Sequence, residues 1–229
     1  MTPNSRSAVY RLVVAALALG AVGYKLFALH LPGGFDPINF FSYFTNLTNI
    51  MLGLLYLFSG IALLRGRRPT VLDEALRGAV VVYIVFVGLV FGALLQDVPV
   101  GNLNPWVNAV VHSVTPIAAV IEWIAWPPRR RVAWDLALLW ILWPAVYVGY
   151  TLIRGMWTSW YPYPFFDPAQ NGGYGGVALT CAALVVALAV ISALVRLRRA
   201  RPPRPPAPKH RTGPQREAAP DPRPRRSRP

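Results

Sequence analysis

Two polar stripes interrupt otherwise apolar stretches of this chain, and each holds one group that can exchange a proton. In Phe40-Phe41-Ser42-Tyr43-Phe44-Thr45-Asn46-Leu47-Thr48-Asn49, residues Ser42, Thr45, Asn46 and Asn49 recur at i, i+3, i+4 and i+7. On a continuous helix they share one face. Further along, Asn108, His112 and Thr115 follow i, i+4, i+7, and Glu122 returns near that face 14 residues after Asn108. A hydroxyl facing an imidazole is a pair between which a proton can pass. The same residue types also serve as interhelical glue in membrane bundles, and a lone buried histidine is often only a hydrogen-bonded structural group. His112 stands apart because an ionisable residue inside a membrane span is costly and marks function. Asn108, one turn away, can also set its tautomer. His30 and His210, the other two histidines, fall at the end of the first apolar stretch and in the tail.

The elements that must position these groups are six apolar stretches, Ala8–Leu31, Ile38–Leu64, Leu76–Leu95, Trp106–Trp126, Val132–Ile153 and Tyr174–Val195. Each holds about 20 mostly apolar residues, enough to cross a bilayer as a helix. Apolar residues make up 55% of the 229, too many for a soluble globule of this size. The expected fold is therefore an all-α integral membrane protein with six transmembrane helices in a single domain over 1–195. Arg6 and Arg11 precede or open the first stretch, Arg65, Arg67 and Arg68 follow the second, and Arg129, Arg130 and Arg131 follow the fourth. The linkers around Asp36, around Asp97 and from Gly155 to Gly173 carry no Lys or Arg. Basic short loops stay cytoplasmic, so both termini are expected inside. Lys25 and His30 stand where a signal-peptide cleavage site would need small residues, so the first stretch reads as a retained helix.

Net charge is +14, but the tail 196–229 carries +10 of it, with 12 of the 23 Lys and Arg. The membrane part is close to neutral, which excludes a general nucleic-acid binder. The Pro/Arg-rich tail has no apolar periodicity and is expected to be disordered and cytoplasmic. Its charge suits anionic inner-leaflet lipids, although a solvated topology determinant is the plainer reading. The single Cys181 excludes an intrachain disulfide and a cysteine metal cluster, and His112 and Glu122 lie too far apart in depth to share an ion, so no metal or cofactor is expected. The linker with Trp157, Trp160, Tyr161, Tyr163, Phe165 and Phe166 suits a membrane interface. Pro162, Pro164 and Pro168 keep it from forming a helix, so it is expected to lie on the outer surface as an anchor or a lid. Lys25 is expected to snorkel, to hold an acidic headgroup or to pair with Asp36. Glu122 is expected to pair with Arg129, Arg130, Arg131 or a polar group on another helix.

Depth links the two stripes. Thr45 lies about 7 residues into the second stretch and His112 about 6 into the fourth, both counted from the outer side. At a rise of 1.5 Å per residue each sits about 10 Å below that boundary. Glu122 falls about 15 Å deeper than His112.

The chain resembles the androgen-induced gene one family of membrane proteins, and within it a bacterial relative. The resemblance rests on Tyr43-Phe44-Thr45, on His112 followed by Pro116 and Glu122, on Gly155-Met156-Trp157 and on Tyr163-Pro164-Phe165, in that order. It implies a hydrolase of lipid esters such as fatty acid esters of hydroxy fatty acids, with Thr45 as nucleophile and His112 as general base. It also implies a multi-pass protein of the bacterial cytoplasmic membrane. The Thr45-Asn46-Leu47-Thr48-Asn49 run departs from the animal pattern and leaves Thr48 as an alternative nucleophile. Asn46, Asn49 and Asn108 are candidates to orient groups or to stabilise an oxyanion. Membrane lipids and a lipid ester are the expected partners. A small-molecule or lipid transporter, with the Ser/Thr/Asn face and His112 lining a path, is the alternative function.

Overall fold

A computed structural model describes residues 3–96, 98, 104–128 and 132–197. The described chain is helical, and six helices are long and apolar enough to cross a membrane. They are α1 (Asn4–His30), α3 (Phe44–Leu64), α4 (Val71–Leu95), α5 (Pro105–Ala125), α6 (Trp134–Thr158) and α7 (Gly173–Leu197). A short helix, α2 (Pro37–Phe41), precedes α3. This is the architecture of an integral membrane protein. The basic linker at 129–131 and the tail from 198 onward, with the readings placed on them, lie outside the described residues.

Helix α4 is the central element. Its run Ala79-Val80-Val81-Val82-Tyr83-Ile84 is apolar on every side and buried at every position, as expected of a helix with no polar face to give to its surroundings. It packs against α3, α5, α6 and α7, while α1 packs chiefly along α3 and also meets α5. Gly60 lets α1 lie close to α3: a Cβ there would press on the Leu12 side chain.

Helix starts follow local chemistry. Asp36 accepts from the Ile38 amide with Pro37 at the first position, and Asn104 accepts from the Trp106 amide with Pro105 there. Thr70 and Asp73 form a capping box at α4, each side chain accepting from the other's backbone N–H, an arrangement typically worth about 1 kcal/mol.

One expectation is corrected here. The second apolar stretch is not a continuous helix from Ile38. Tyr43 is extended (φ −84°, ψ 122°) and caps α3, so the chain breaks between α2 and α3. Ser42 therefore does not share a helical face with Thr45, Asn46 and Asn49. Its hydroxyl bonds Ile38 O at 2.7 Å and meets the Tyr150 hydroxyl at 2.8 Å. The break is stabilised because its free backbone groups find side chains. Asn46 Nδ2 donates to Phe40 O at 2.7 Å, and the Tyr147 hydroxyl donates to Ser42 O at 2.8 Å. These bonds matter where water is absent.

Candidate functional site

The break at Tyr43 places Thr45 in the first turn of α3, where backbone N–H groups have no intrahelical acceptor. The Thr45 N–H donates instead to the Tyr163 hydroxyl at 3.4 Å. Tyr163 comes from the segment between α6 and α7. That segment turns at Ser159, which closes α6 in the left-handed region (φ 52°), and continues into a short 3₁₀ turn over Pro164–Phe166. The turn folds Tyr163 and Phe166 inward, leaving them 6% and 2% exposed. The aromatic linker is thus partly core, not purely an interfacial cover.

His112 owes its position to Pro116. Residues Val110–Val114 form a π-helical turn. Pro116 has no N–H, so the Val111 carbonyl, five residues earlier, gets no bond from it. Asn49 Nδ2 donates to that carbonyl at 3.1 Å, and Asn49 Oδ1 accepts from Thr115 Oγ1 at 2.7 Å. Asn49 thereby ties α3 to α5 at the level of His112. On the other side, Gly88 of α4 lets Pro116 and the His112 carbonyl approach closely, since a Cβ there would meet both.

The outcome is direct contact. Thr45 Oγ1 lies 3.3 Å from His112 Nε2, and both residues are buried, at 6% and 8% exposure. His112 Nδ1 lies 2.6 Å from Asn108 Oδ1. A carbonyl oxygen only accepts, so Nδ1 carries the proton. The Nε2 lone pair then faces the Thr45 hydroxyl, which donates to it. Phe91 of α4 stacks on the imidazole, with ring centroids 4.0 Å apart and planes 14° from parallel. The Tyr163 hydroxyl also meets Thr45 Oγ1 at 3.4 Å. Burial pushes the Tyr163 phenol up to about 12, so it stays protonated and able to donate through the neutral range.

Thr48 is placed differently. It is fully buried, and its hydroxyl has no hydrogen-bond partner among the described residues. Of the three asparagines singled out by sequence, Asn108 orients His112, Asn49 joins two helices and Asn46 spans the α2–α3 break. Asn46 Oδ1 also accepts from Lys25 Nζ at 3.0 Å. Lys25 therefore neither snorkels nor pairs with Asp36: it turns inward, with Tyr43 and Phe40 rings 5.4 and 5.8 Å from its ammonium. Buried carbonyl oxygen and aromatic faces are the attraction.

Two cavities adjoin Thr45. The larger, of about 280 Å³, is almost wholly apolar and runs between α4, α6 and α7 past Val87, Ile141, Pro144, Val148, Leu184 and Leu188. The smaller, of about 20 Å³, is lined by Lys25, Tyr43, Thr45, His112 and Tyr163, with Phe91 and Leu95 closing it. Thr45 and Tyr163 form part of both walls. The three π-helical segments, Lys25–His30, Phe91–Leu95 and Val110–Val114, each send a residue to the smaller one. Such turns are rare and frequent at functional sites. Sequence reasoning did not single out Tyr163, Phe91 or Lys25 for the site. The signals for Tyr163 are the proline-rich turn and its place in the Tyr163-Pro164-Phe165 segment of the resemblance.

Glu122 belongs to a separate cluster deeper in the bundle. It is fully buried, and Oε1 accepts from Arg11 Nε at 2.9 Å and Nη2 at 2.8 Å. Oε2 accepts from Arg77 Nη1 at 3.0 Å and from the Tyr56 hydroxyl at 3.3 Å. Arg77 in turn holds Glu74. The partners are charged groups on α1 and α4 and a hydroxyl on α3.

Among the described residues no group of three or more His, Cys, Asp or Glu side chains is arranged to hold a metal ion. Fold and site together define a six-helix membrane bundle with an internal hydroxyl–imidazole–amide relay. No family model, no curated protein and no solved structure matches the chain.

Proposed function

We propose that the protein is an intramembrane hydrolase of lipid esters in which Thr45 is the nucleophile and His112 the general base. The observation that carries this reading is the Thr45 Oγ1–His112 Nε2 contact of 3.3 Å, with Nδ1 held by Asn108, at the wall of an apolar cavity. A threonine hydroxyl needs an adjacent base to become nucleophilic, and the imidazole presents its lone pair to it. Thr45 Oγ1 attacks the ester carbonyl as its proton moves to Nε2. The tetrahedral oxyanion collapses, the C–O bond to the alcohol breaks, and Nε2–H protonates the leaving oxygen. Water then attacks the acyl-threonine with His112 again as base. The resemblance to the androgen-induced gene one family assigns the same two residues.

The apolar cavity suits a long acyl chain. Val185 lines it and is also 54% exposed, which supports lateral access from the lipid between α6 and α7. The arginine distribution supports an orientation with the site end of the bundle outside and both termini in the cytoplasm, and the resemblance to a bacterial relative supports a bacterial cytoplasmic membrane. The alternative is a lipid carrier without hydrolysis.

The test is turnover of a lipid-ester panel, including a fatty acid ester of a hydroxy fatty acid, by purified protein in detergent. Turnover that Thr45→Ala and His112→Ala abolish while Thr48→Ala keeps it supports the hydrolase. Saturable lipid binding with no turnover in folded wild type supports the carrier instead.

A further inference from the structure

The small chamber beside Thr45 contains a cation with no counter-ion among the described residues. Lys25 is partly buried among aromatic rings. Its one recorded acceptor is the neutral Asn46 amide oxygen, and no carboxylate lies within ion-pair distance of it among the described residues. An ammonium carries three N–H donors. Leaving a charge inside a membrane protein with so few partners is costly, so the arrangement suits a negative charge that arrives with a ligand or forms on one.

The chamber's size says which. At about 20 Å³ it has room for one water or one carbonyl oxygen and not for a carboxylate-bearing chain or a phosphate headgroup. Thr45, Tyr163, Phe91 and Leu95 line both it and the apolar cavity that would hold the acyl chain. A second donor in its lining is the Tyr163 hydroxyl, already 3.4 Å from Thr45 Oγ1. Asn46 Nδ2 donates to Phe40 O and Asn49 Nδ2 to Thr45 O and Val111 O, and Asn108 does not line the chamber.

Resting on the hydrolase reading, we propose that this chamber is the oxyanion site and that Lys25 and Tyr163 are further catalytic residues that stabilise the negative oxygen of the tetrahedral intermediate. As Thr45 Oγ1 adds to the carbonyl, the C=O electron pair moves onto oxygen, and that oxygen takes hydrogen bonds from Lys25 Nζ–H and the Tyr163 O–H. The Thr45 proton goes to His112 Nε2. The neutral ground-state carbonyl gains much less from the ammonium than the oxyanion does, so Lys25 acts on kcat far more than on KM. The substrate class follows: esters whose acyl carbonyl reaches the chamber while the acyl chain lies in the apolar cavity.

The test compares turnover of a long-chain ester with inhibition by dodecylboronic acid, in detergent-purified full-length protein. Boron accepts Thr45 Oγ1, the proton passes to His112, and the anionic tetrahedral adduct mimics the intermediate. Lys25→Met is expected to lower kcat about 100-fold with KM within a few-fold, and to weaken the boronic acid by a similar factor. Lys25→Arg should recover part of both. Tyr163→Phe should show the same pattern with a smaller loss. Thr45→Ala sets the floor for turnover and for boronate binding, and melting in detergent reports folding. Wild-type turnover lost in Thr45→Ala but kept, with boronate affinity, in folded Lys25→Met and Tyr163→Phe would overturn the oxyanion assignment and leave the hydrolase reading standing. A rise in KM with no change in kcat would also overturn it, because that is the signature of ground-state positioning alone. Absence of wild-type turnover across the ester panel would overturn both.

Discussion

Two polar clusters lie inside the same apolar bundle, and they are built on opposite principles. Around Glu122 two arginines and two glutamates are balanced in charge, and each Glu122 oxygen accepts from more than one donor. The cluster ties α1, α3, α4 and α5 together and is nearly saturated. Around Thr45 the balance is absent. Among the described residues Lys25 has one neutral acceptor, the Thr45 hydroxyl meets His112 Nε2 at a long 3.3 Å, and two cavities adjoin it. Saturation holds helices together; unspent hydrogen-bonding capacity next to empty space is what a reacting group needs. On the proposed reading the difference separates a structural use of intramembrane charge from a chemical one.

Substitutions should divide along the same line. The largest effects on turnover belong to Thr45→Ala and His112→Ala, each expected to lower kcat/KM by at least about 1,000-fold, with melting temperature in detergent close to wild type. Loss of folded protein in both would place them with the structural cluster. Glu122→Ala should do the reverse. Removing one partner of a buried pair typically costs about 3–5 kcal/mol, so the protein should melt far earlier while the folded fraction retains its specific activity. Leu188→Trp narrows the apolar cavity. It should raise KM for long acyl chains several-fold and leave short ones unaffected, because an indole takes the volume that a chain end would use. A uniform loss across chain lengths would mean the cavity does not hold the acyl group. Thr48→Val is the smallest: a buried hydroxyl without a partner is replaced by a methyl group, so stability should change by less than about 1 kcal/mol, or rise, with turnover unchanged.

Much of this arrangement was legible from residues alone. Six spans emerge from apolar run lengths, because crossing a bilayer imposes a minimum length that few other folds demand. Pairing Thr45 with His112 followed from counting depth along two stretches, and it succeeded despite a wrong premise. The count ran through a continuous helix, whereas α2 and α3 are separate and Thr45 is in the first turn of α3. The extended Tyr43 moved Ser42 away from the stripe and exposed the Thr45 N–H that Tyr163 now holds. Sequence periodicity carries no sign of a break whose free groups are taken up by the nearby Asn46 side chain and by Tyr147, which is remote until the bundle forms. Lys25 departs from its expected place for a related reason. Snorkelling is the default for a lysine near a span end, and the inward path exists only because Asn46, Tyr43 and Phe40 gather at that break. Tyr163 was read as part of an interfacial cover, because a proline- and aromatic-rich linker has the same composition whether it lies on the surface or folds one ring inward.

The measurement that bears most directly on the central claim is acid-quenched mass spectrometry of the purified protein during turnover of a long-chain ester. The account predicts an acyl adduct on the peptide that holds Thr45, localised to Thr45 by fragmentation, formed faster than steady-state turnover and absent from Thr45→Ala. An adduct on Thr48, or full turnover by Thr45→Ala with no adduct at either threonine, would contradict it.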